Sequence, residues 1–274
     1  MLAPIVDVEW LQAHRDAVVL ADVRWYLDGR SGREAYERGH IPGAVFVDLD
    51  RWLAAPASPE AGRHPLPEPH VFAEGMAASG IGDEDTVVAY DDAGGVTAAR
   101  LVWMLRVTGH PAALLDGGLD AYDGELEPGA GMIEPAVFRA RPWPAERLAS
   151  LDDVASGAAV LLDARDHNRF TGEFEPVDPR AGHIPGARSV PSRENLDAHQ
   201  RLLAVDELRR RFAAAGVDDQ ADVVSYCGSG VSACHNLLAL EHAGFPPGRL
   251  YPGSFSQWAH TDRPVATGDE RHRV

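Results

Sequence analysis

The amino-acid sequence contains one long internal repeat. The hexapeptide Gly-His-Ile-Pro-Gly-Ala stands at residues 39–44 and recurs unchanged at residues 182–187. Three further pairs of similar blocks follow the same order, at residues 18–24 and 159–165, 87–91 and 223–227, and 116–119 and 252–255. Four matching blocks in one order predict that the chain of 274 residues is a tandem duplication, so its fold must be one that half of this length can form.

Each copy alternates short apolar runs with longer amphipathic segments. The apolar runs have the length of buried strands and lie at residues 18–20, 45–47, 86–90 and 113–115. The amphipathic segments have helical spacing and lie at residues 69–79, 96–108, 204–215 and 231–243. Because short strands that alternate with helices favour a parallel sheet covered on both faces, the sequence predicts an α/β protein with two such domains.

The stretch between the two copies is rich in residues that break helices and strands. Residues 126–144 contain Pro at four positions and Gly at two, which is typical of an ordered, extended linker. We therefore predict a first domain over residues 1–125, a Pro/Gly-rich linker over residues 126–144 and a second domain over residues 145–274.

Charge and composition exclude several classes of function. The 25 basic residues are all arginine and are outnumbered by 42 acidic residues, which gives a formal net charge of −17. This balance argues against nucleic acid and against an anionic membrane surface as partners. Without lysine, Schiff-base chemistry is excluded, and an anionic substrate has to be held by arginine, histidine or backbone amides. Two cysteines, Cys227 and Cys234, are too few for a disulfide framework or a four-thiolate zinc site.

Hydropathy bears on the location of the protein. No segment approaches the roughly 18 consecutive apolar residues of a membrane-spanning helix. Residues 1–7 lack the basic region and apolar run of a secretory signal. We therefore expect a cytoplasmic protein.

The two copies differ most at the end of their central strand. The second copy reads Cys-Gly-Ser-Gly-Val-Ser-Ala from Cys227, whereas the first reads Asp-Asp-Ala-Gly-Gly-Val from Asp91. Ligands of parallel α/β sheets bind beyond the carboxyl ends of strands, where loops lead into helix N-termini. Two glycines allow backbone amides to turn inward, and the following helix adds the positive end of its dipole. The second copy therefore predicts a cradle for an anionic sulfur nucleophile.

Two other interpretations of Cys227 follow from the same residues. A free cysteine at a strand end can be a small buried hydrophobic residue without a chemical role. A cysteine phosphatase would have histidine before the cysteine and arginine six residues after it. Here Tyr226 precedes Cys227 and Ala233 stands at the sixth position, so the phosphatase interpretation is rejected.

The repeated Asp-x-Arg blocks, the two Gly-His-Ile-Pro-Gly-Ala turns and the Cys227 loop together resemble tandem-domain rhodanese-type sulfurtransferases over nearly the whole chain. Within this family, the loop is similar to that of the 3-mercaptopyruvate sulfurtransferases. Thiosulfate-preferring members typically carry basic residues where this chain has Gly228 and Ser229. The resemblance implies two rhodanese-like domains, of which the second is catalytic, and transfer of a sulfane sulfur through a persulfide of Cys227.

The resemblance also implies catalytic roles for residues of the first copy. An aspartate after the Gly-His-Ile-Pro-Gly-Ala strand and a histidine before a Leu-Pro pair point into the interdomain cleft of mercaptopyruvate sulfurtransferases, and they match Asp50 and His64. With Ser229 they would form a Ser-His-Asp arrangement that protonates the leaving enolate of pyruvate or assists thiol deprotonation. The alternatives are a solvated loop histidine and, for Asp50, a helix cap.

Recognition of an anionic donor needs a fixed cation, for which arginine has the right bidentate geometry. Arg169 matches the family's substrate-binding arginine, with Asn168 where a glycine is common. A second arginine usually follows a few residues on; Val177 lies near that position, and Arg180 is the displaced candidate. The remaining predicted substrate-binding residues belong to the loop and are Gly228, Gly230, Val231 and Ser232.

The resemblance implies a small anionic sulfur donor and a thiol, cyanide or thioredoxin-like acceptor, with no cofactor and no metal. Because two domains that share a cleft are sufficient for such a site, we expect a monomer. Two alternative functions stay open: a thiosulfate sulfurtransferase, and a non-catalytic rhodanese-like binding or sulfur-carrier module. The cysteine at position 227, where the first copy has Asp91, weighs against the non-catalytic module.

Overall fold

A computed structural model describes residues 2–131 and 133–269, so Met1, Met132 and residues 270–274 of the predicted domains and linker lie outside the described residues. The strands are β1 (Ile5–Val6), β2 (Val18–Asp22), β3 (Val45–Phe46), β4 (Thr86–Tyr90), β5 (Ala112–Leu115), β6 (Val160–Asp163), β7 (Arg188–Ser189), β8 (Val223–Tyr226) and β9 (Arg249–Leu250). The α-helices are α1 (Val8–Ala13), α2 (Gly32–Arg38), α3 (Pro69–Ala78), α4 (Ala98–Val107), α5 (Leu151–Ser156), α6 (His167–Thr171), α7 (Val205–Ala214), α8 (Ala233–His242) and α9 (Ser254–Trp258). Short 3-10 turns and one π-helical turn lie at Arg15–Ala17, Leu49–Leu53, Gly118–Ala121, Ala145–Arg147 and Ser192–Asn195.

The strands form two parallel sheets with the same internal order. The first sheet has the order β1-β5-β4-β2-β3, and the second has the order β7-β6-β8-β9. Read from the other edge, the second sheet repeats β5-β4-β2-β3 strand for strand. At the place of β1 it has a single parallel bridge, between Leu148 and Leu250. The predicted α/β class, with two parallel sheets flanked by helices, is therefore confirmed, and the sequence repeat corresponds to a repeated topology.

Each sheet lies in a compact unit with its own apolar core. In the first unit, the core cluster includes Leu20, Val88 and Ala113 from three neighbouring strands. In the second unit, it includes Leu161 and Val224. Strands that are buried on both faces read as continuous apolar runs, which is why these strands could be located in the sequence.

A buried ion pair recurs at the end of the equivalent strands β2 and β6. Arg24 Nη2 lies 2.6 Å from Asp22 Oδ2, and Arg165 Nη2 lies 2.6 Å from Asp163 Oδ2. Each guanidinium also donates to the carbonyl of the glycine that opens the Gly-His-Ile-Pro-Gly-Ala turn of its own copy. Burial raises the pKa of Asp22 in spite of the opposing hydrogen bonds from Arg24. The Asp-x-Arg blocks thus tie each turn to its sheet.

The described part of the linker belongs to the first unit, which includes residues 66–144. Trp143 donates from Nε1 to the carbonyl of Pro67 at 2.8 Å, and its ring lies 5.3 Å from the ring of Phe72. Phe138 meets the same phenyl ring edge-on at 5.8 Å. These aromatic contacts give an otherwise irregular segment a fixed path.

Two short segments pack with the opposite unit from the one that chain order predicts. Residues 56–65, placed in the first domain by the sequence, belong to the second unit, and residues 196–202 belong to the first. In the first of these segments, the backbone N–H of Arg63 donates to Ser256 Oγ at 3.0 Å. A Cβ at Gly62 would lie 2.5 Å from the carbonyl oxygen of Gly253, so only glycine permits this approach. The segment that carries His64 is therefore part of the unit that contains Cys227.

Candidate active site

Cys227 lies immediately after β8, in a loop that ends where α8 begins at Ala233. Its Sγ accepts the backbone N–H of Ser229 at 3.4 Å and that of Gly230 at 3.1 Å. Gly230 has a φ of 79°, a left-handed conformation that suits glycine and turns its amide toward the sulfur. The loop therefore points two backbone donors at one buried sulfur and leads into a helix N-terminus, an arrangement suited to a negative charge on sulfur.

A second loop holds the backbone of Cys227 in place. The N–H of Cys227 donates to Ser254 Oγ at 3.2 Å, and its carbonyl accepts the N–H of Phe255 at 2.9 Å. Ser254 adopts a φ of 53°, which is costly for a residue with a Cβ, by roughly 1–3 kcal/mol. The hydrogen bonds that it makes at this position offset that cost. Ser254 was not predicted from the sequence, although Gly118 stands at the equivalent position of the first copy and has a φ of 56°.

The equivalent loop of the first unit encloses a carboxylate. Asp91 follows β4, and its Oδ1 accepts the N–H groups of Ala93 and Gly95, each at 2.8 Å. Its Oδ2 accepts the N–H groups of Thr97 and Ala98 at 2.8 Å and the Thr97 hydroxyl at 2.7 Å. In the first copy, the strand-loop-helix unit thus surrounds a side-chain carboxyl group with five hydrogen-bond donors.

The structure brings together His64 and Ser229, two of the three residues that the resemblance places in one arrangement. His64 Nδ1 and Ser229 Oγ lie 2.7 Å apart, with Ser229 almost fully buried. Asp50 lies in the first unit, in the π-helical turn Leu49–Leu53, and its Oδ2 accepts the Nε1–H of Trp25 at 2.9 Å. The cap of that turn is Asp48, which accepts the N–H of Arg51. The capping role is therefore filled without Asp50, and the part of Asp50 in a relay stays a prediction.

Arg169 belongs to a buried network of charged side chains. Its Nε donates to Glu175 Oε2 at 3.1 Å, and its Nη2 donates to Glu175 Oε1 at 2.6 Å and Asp178 Oδ2 at 3.0 Å. Glu175 also accepts from Arg165, and Asp178 also accepts from Arg63. Burial alone would raise the pKa of Glu175, but hydrogen bonds from Arg169 and from two backbone amides hold it below its ordinary value. The network fixes the Arg169 guanidinium.

The other predicted substrate residues differ in their surroundings. Arg180 donates to three backbone carbonyls, those of Trp258, Ala259 and Arg263, at 2.8–3.0 Å. Its contacts tie the chain to the end of α9, and its predicted role toward substrate stays a prediction. The loop residues Gly228, Gly230, Val231 and Ser232 lie in order between Cys227 and α8, and the last of them is the N-cap residue of the helix.

Three charged residues at this site were not predicted from the sequence: Arg63, Glu175 and Asp178. A Cβ at Gly228 would lie 2.7 Å from Arg63 Nη2 and 3.5 Å from Arg169 Nη1, so both guanidinium groups face this glycine. Asp178 links the two arginines through its two carboxylate oxygens. The only sequence signal for Arg63 was its position beside His64.

Cys234 lies in the first turn of α8 and is fully buried. Its Sγ donates to the carbonyl of Gly230 at 3.3 Å. This contact joins the helix to the Cys227 loop and agrees with the packing role of small buried cysteines.

Residues 2–131 and 133–269 contain no group of three or more His, Cys, Asp or Glu side chains placed to hold a metal ion. None of the helices in the same part of the chain is both long and apolar enough to span a membrane.

The chain is similar to known proteins along most of its length. The family model for the rhodanese-like domain matches twice, over residues 7–125 and 146–261. A Pseudomonas aeruginosa protein named "Probable 3-mercaptopyruvate sulfurtransferase" is 45% identical over 93% of both chains. A Mycobacterium tuberculosis protein named "Putative thiosulfate sulfurtransferase SseB" is 38% identical over 92% of both chains. The crystal structure of SseA from Escherichia coli, a 3-mercaptopyruvate sulfotransferase with the rhodanese fold, superposes with a TM-score of 0.81 at 34% identity and covers 92% of this chain and 98% of SseA.

Proposed function

The chain belongs to the rhodanese-like domain family, and from this premise we propose that it is a sulfurtransferase that takes sulfur from 3-mercaptopyruvate and passes it to a thiol or to cyanide. The observation that carries the proposal is the loop around Cys227, where two amide N–H groups converge on the sulfur. An enclosed carboxylate at Asp91, in the equivalent loop, supports the view that this geometry is made for an anion.

The proposed first step forms a persulfide on Cys227. The sulfur anion of Cys227 attacks the donor sulfur, a new S–S bond forms and the carbon–sulfur bond of the donor breaks. The electron pair of that bond leaves with the carbon as the enolate of pyruvate, which then takes up a proton. In the second step, the acceptor thiolate or cyanide attacks the outer sulfur and restores the Cys227 anion. The amides of Ser229 and Gly230 stabilise the negative charge in both steps.

Ser229 and His64 are proposed to supply the proton that the enolate takes up. Their 2.7 Å contact allows the imidazole and the hydroxyl to exchange a proton. Asp50 is proposed as the third member of this relay, in the role of the aspartate of a triad. Arg169, fixed by Glu175, is proposed to bind the donor carboxylate.

The experiment compares the steady-state kcat/KM for 3-mercaptopyruvate and for thiosulfate at matched cyanide concentration. We expect the higher value with 3-mercaptopyruvate, and a higher value with thiosulfate would favour the function named for the Mycobacterium tuberculosis relative. The intact mass should rise by one sulfur atom, about 32 Da, after exposure to donor. Cys227→Ser should abolish this gain, whereas the matched variant Cys234→Ser should retain it. Turnover by Cys227→Ser would rule out the covalent route.

We also propose that the protein acts as a monomer in the cytoplasm. The formal net charge of −17 argues against an anionic membrane surface as a partner, which supports this proposal. Size-exclusion chromatography with light scattering at two protein concentrations tests the monomer, for which a mass near 29.5 kDa is expected.

A further inference from the structure

The first unit has a cavity of its own at the carboxyl edge of its sheet, where ligands of parallel sheets bind. Its volume is about 380 Å³, which lies in the range of small-molecule sites. The loop between β2 and α2 lines it together with the segment that follows β3. A Cβ at Gly32 would overlap the carbonyl oxygen of Arg24, so the loop closes in this way only with glycine at position 32.

Two arginine side chains that line the cavity are oriented by aromatic rings. The guanidinium carbon of Arg30 lies 4.0 Å from the ring centre of Tyr26, and that of Arg33 lies 4.8 Å from the ring centre of Phe46. The Tyr26 ring is itself held in place, because its hydroxyl donates to Asp92 Oδ2 at 2.5 Å. Stacking on a ring fixes the plane of a guanidinium and leaves its N–H edges available to an anion.

The terminal nitrogens of both arginines make no strong interaction within residues 2–131 and 133–269. The side chain of Arg30 donates only from Nε, to Asp28, and both members of this pair are more than half exposed. The Arg33 side chain donates no hydrogen bond, and Glu37 Oε1 lies 3.9 Å from its Nη1. Because exposed ion pairs contribute little, a ligand can engage both guanidinium groups without breaking a strong contact.

Carboxylates line the same cavity. Asp48 caps the π-helical turn through Oδ1, which accepts the N–H of Arg51 at 3.2 Å, and its Oδ2 accepts no hydrogen bond from the described residues. Asp50, the proposed third member of the relay, also lines the cavity. A small cavity that presents both guanidinium and carboxylate groups is complementary to a zwitterion. An α-amino carboxylate, the common end group of amino acids, has this distribution of charge.

We propose that this cavity binds the α-amino carboxylate end of the acceptor thiol, with Arg30 and Arg33 on its carboxylate and Asp48 on its ammonium group. This inference rests on the proposed function and gives the chemical class of the acceptor, an amino-acid thiol or a short peptide that contains one. The position of Asp50 on the cavity favours an acceptor over a ligand with no part in the reaction. The proposed contact for the donor carboxylate, Arg169, belongs to the second unit, so each substrate has a binding site in a different copy.

The step that this acceptor carries out is the second half of the reaction. Its thiolate attacks the outer sulfur of the Cys227 persulfide, and a new S–S bond forms. The bond between the outer sulfur and Cys227 Sγ breaks, and its electron pair returns to Cys227. The acceptor leaves as a persulfide, and no further oxidant or reductant is needed.

The first test discharges a preformed Cys227 persulfide with four small thiols. Cysteine has both charged groups, 3-mercaptopropionate has only the carboxylate, cysteamine has only the ammonium group and 2-mercaptoethanol has neither. The rate constant for loss of the outer sulfur, followed by intact mass, is expressed for each variant and thiol as a fraction of the wild-type value. In Arg30→Ala and in Arg33→Ala, this fraction should be about 10-fold lower for cysteine and 3-mercaptopropionate than for 2-mercaptoethanol. In Asp48→Asn, which keeps the capping oxygen, it should be lower for cysteine and cysteamine.

Arg209→Ala is the matched control for these variants. Arg209 lies in the second unit, is 40% exposed and stacks on Phe245 at 4.4 Å, so it resembles Arg33 in everything except the cavity. Its variant should give the same fraction with all four thiols. Glutathione as a fifth thiol distinguishes a peptide from a free amino acid, because the better occupant should show the larger effect of Arg33→Ala. Fractions that are equal for all thiols in both Arg30→Ala and Arg33→Ala would overturn the assignment.

The second test measures binding without chemistry and so separates this inference from the proposed function. The probe is S-methylcysteine, which has the α-amino carboxylate but no thiol, and its contact with the protein is followed by saturation-transfer NMR. We expect a signal with the wild type and with Arg209→Ala, and its loss in the double variant Arg30→Ala/Arg33→Ala. A signal of equal strength in the double variant would overturn the site. If no persulfide forms on the wild type with either donor, the proposed function fails, whereas loss of the signal in the double variant would still support the cavity as a binding site.

Discussion

The residue at the start of the loop after the central strand is the main chemical difference between the two copies. Asp91 accepts hydrogen bonds from Ala93, Gly95, Thr97 and Ala98, so the loop donors of the first copy are satisfied by a side chain of the loop itself. At the equivalent position, Cys227 Sγ accepts the amide N–H groups of Ser229 and Gly230, and a sulfur nucleophile takes the place of the carboxyl group. The same backbone plan therefore gives a structural anchor in one copy and a candidate reactive site in the other.

Asp91→Asn should destabilise the first unit without removing the chemistry. The amide nitrogen cannot accept the hydrogen bonds that one carboxylate oxygen now receives, and buried donors would be left unsatisfied. We expect the free energy of unfolding, measured by urea denaturation, to fall by about 3 kcal/mol, while persulfide still forms on Cys227. Asp92→Asn is the matched control, with an exposed side chain and an expected change within about 0.5 kcal/mol. Equal stability of the two variants would contradict the anchoring role.

Ser229→Ala tests the contact with His64 at the residue scale. If the hydroxyl passes a proton, its loss should lower kcat with 3-mercaptopyruvate by about 100-fold. Alkylation of Cys227 by iodoacetamide should be unaffected, because the amide of residue 229 remains in place. Ser229→Thr keeps a hydroxyl and should recover much of the lost rate. A Ser229→Ala enzyme with wild-type kcat would remove Ser229 from the relay.

At the scale of elements, the loop that follows α6 fixes the positions of arginine side chains through its carboxylates. Glu175 and Asp178 are buried and point at the guanidinium groups, while Phe174 and Val177, which alternate with them, are exposed. In this loop the acidic side chains point inward, and the apolar side chains beside them are left in solvent. Arg169 is fixed by this loop as much as by its own short helix, His167–Thr171.

Glu175→Gln should lower stability in a way that depends on pH. Hydrogen bonds hold the pKa of Glu175 in the folded protein below its ordinary value of 4.5. The stabilisation that the charged carboxylate gives to the folded state is therefore complete above pH 4.5, and it is lost as the pH falls through the lowered pKa. The variant should therefore have a lower Tm than the wild type at pH 7, and the gap should narrow below pH 4.5. Glu173→Gln, which changes an exposed residue of the same loop, should show no such gap. A gap that is constant from pH 7 to pH 3 would contradict the charge-based explanation.

The elements that could be predicted were those with strong local signals. Residues 86–90 were predicted as a strand and form β4 with the same bounds, and the helix predicted at residues 96–108 is observed as Ala98–Val107. The loop after α6 carries no such signal, because its acids matter only through arginines that are brought close by folding. Ser254 is an intermediate case. Its own residue type does not indicate a left-handed conformation, but the residue at the equivalent position of the first copy, Gly118, does.

At the scale of the whole molecule, a segment of the first copy of the repeat contributes side chains to the unit that contains Cys227. Residues 56–65 leave the first copy to pack in the second unit, where they supply His64 and Arg63. The resemblance to a family identified His64, because a motif match does not require knowledge of the path of the chain. Arg63 was missed because its significance depends on Gly228 and Asp178, which are distant in sequence.

A double-mutant cycle tests whether the relay extends into the first unit. Asp50→Asn removes the charge but keeps an acceptor for the Trp25 hydrogen bond, so the local π-helical turn should persist. If Asp50, His64 and Ser229 act as one unit, each single variant should lower kcat, and Asp50→Asn combined with Ser229→Ala should be scarcely slower than the slower single variant. Multiplicative losses would mean that Asp50 acts independently of Ser229. The pattern of kcat across the cycle thus decides whether the first copy takes part in the chemistry or only in the architecture.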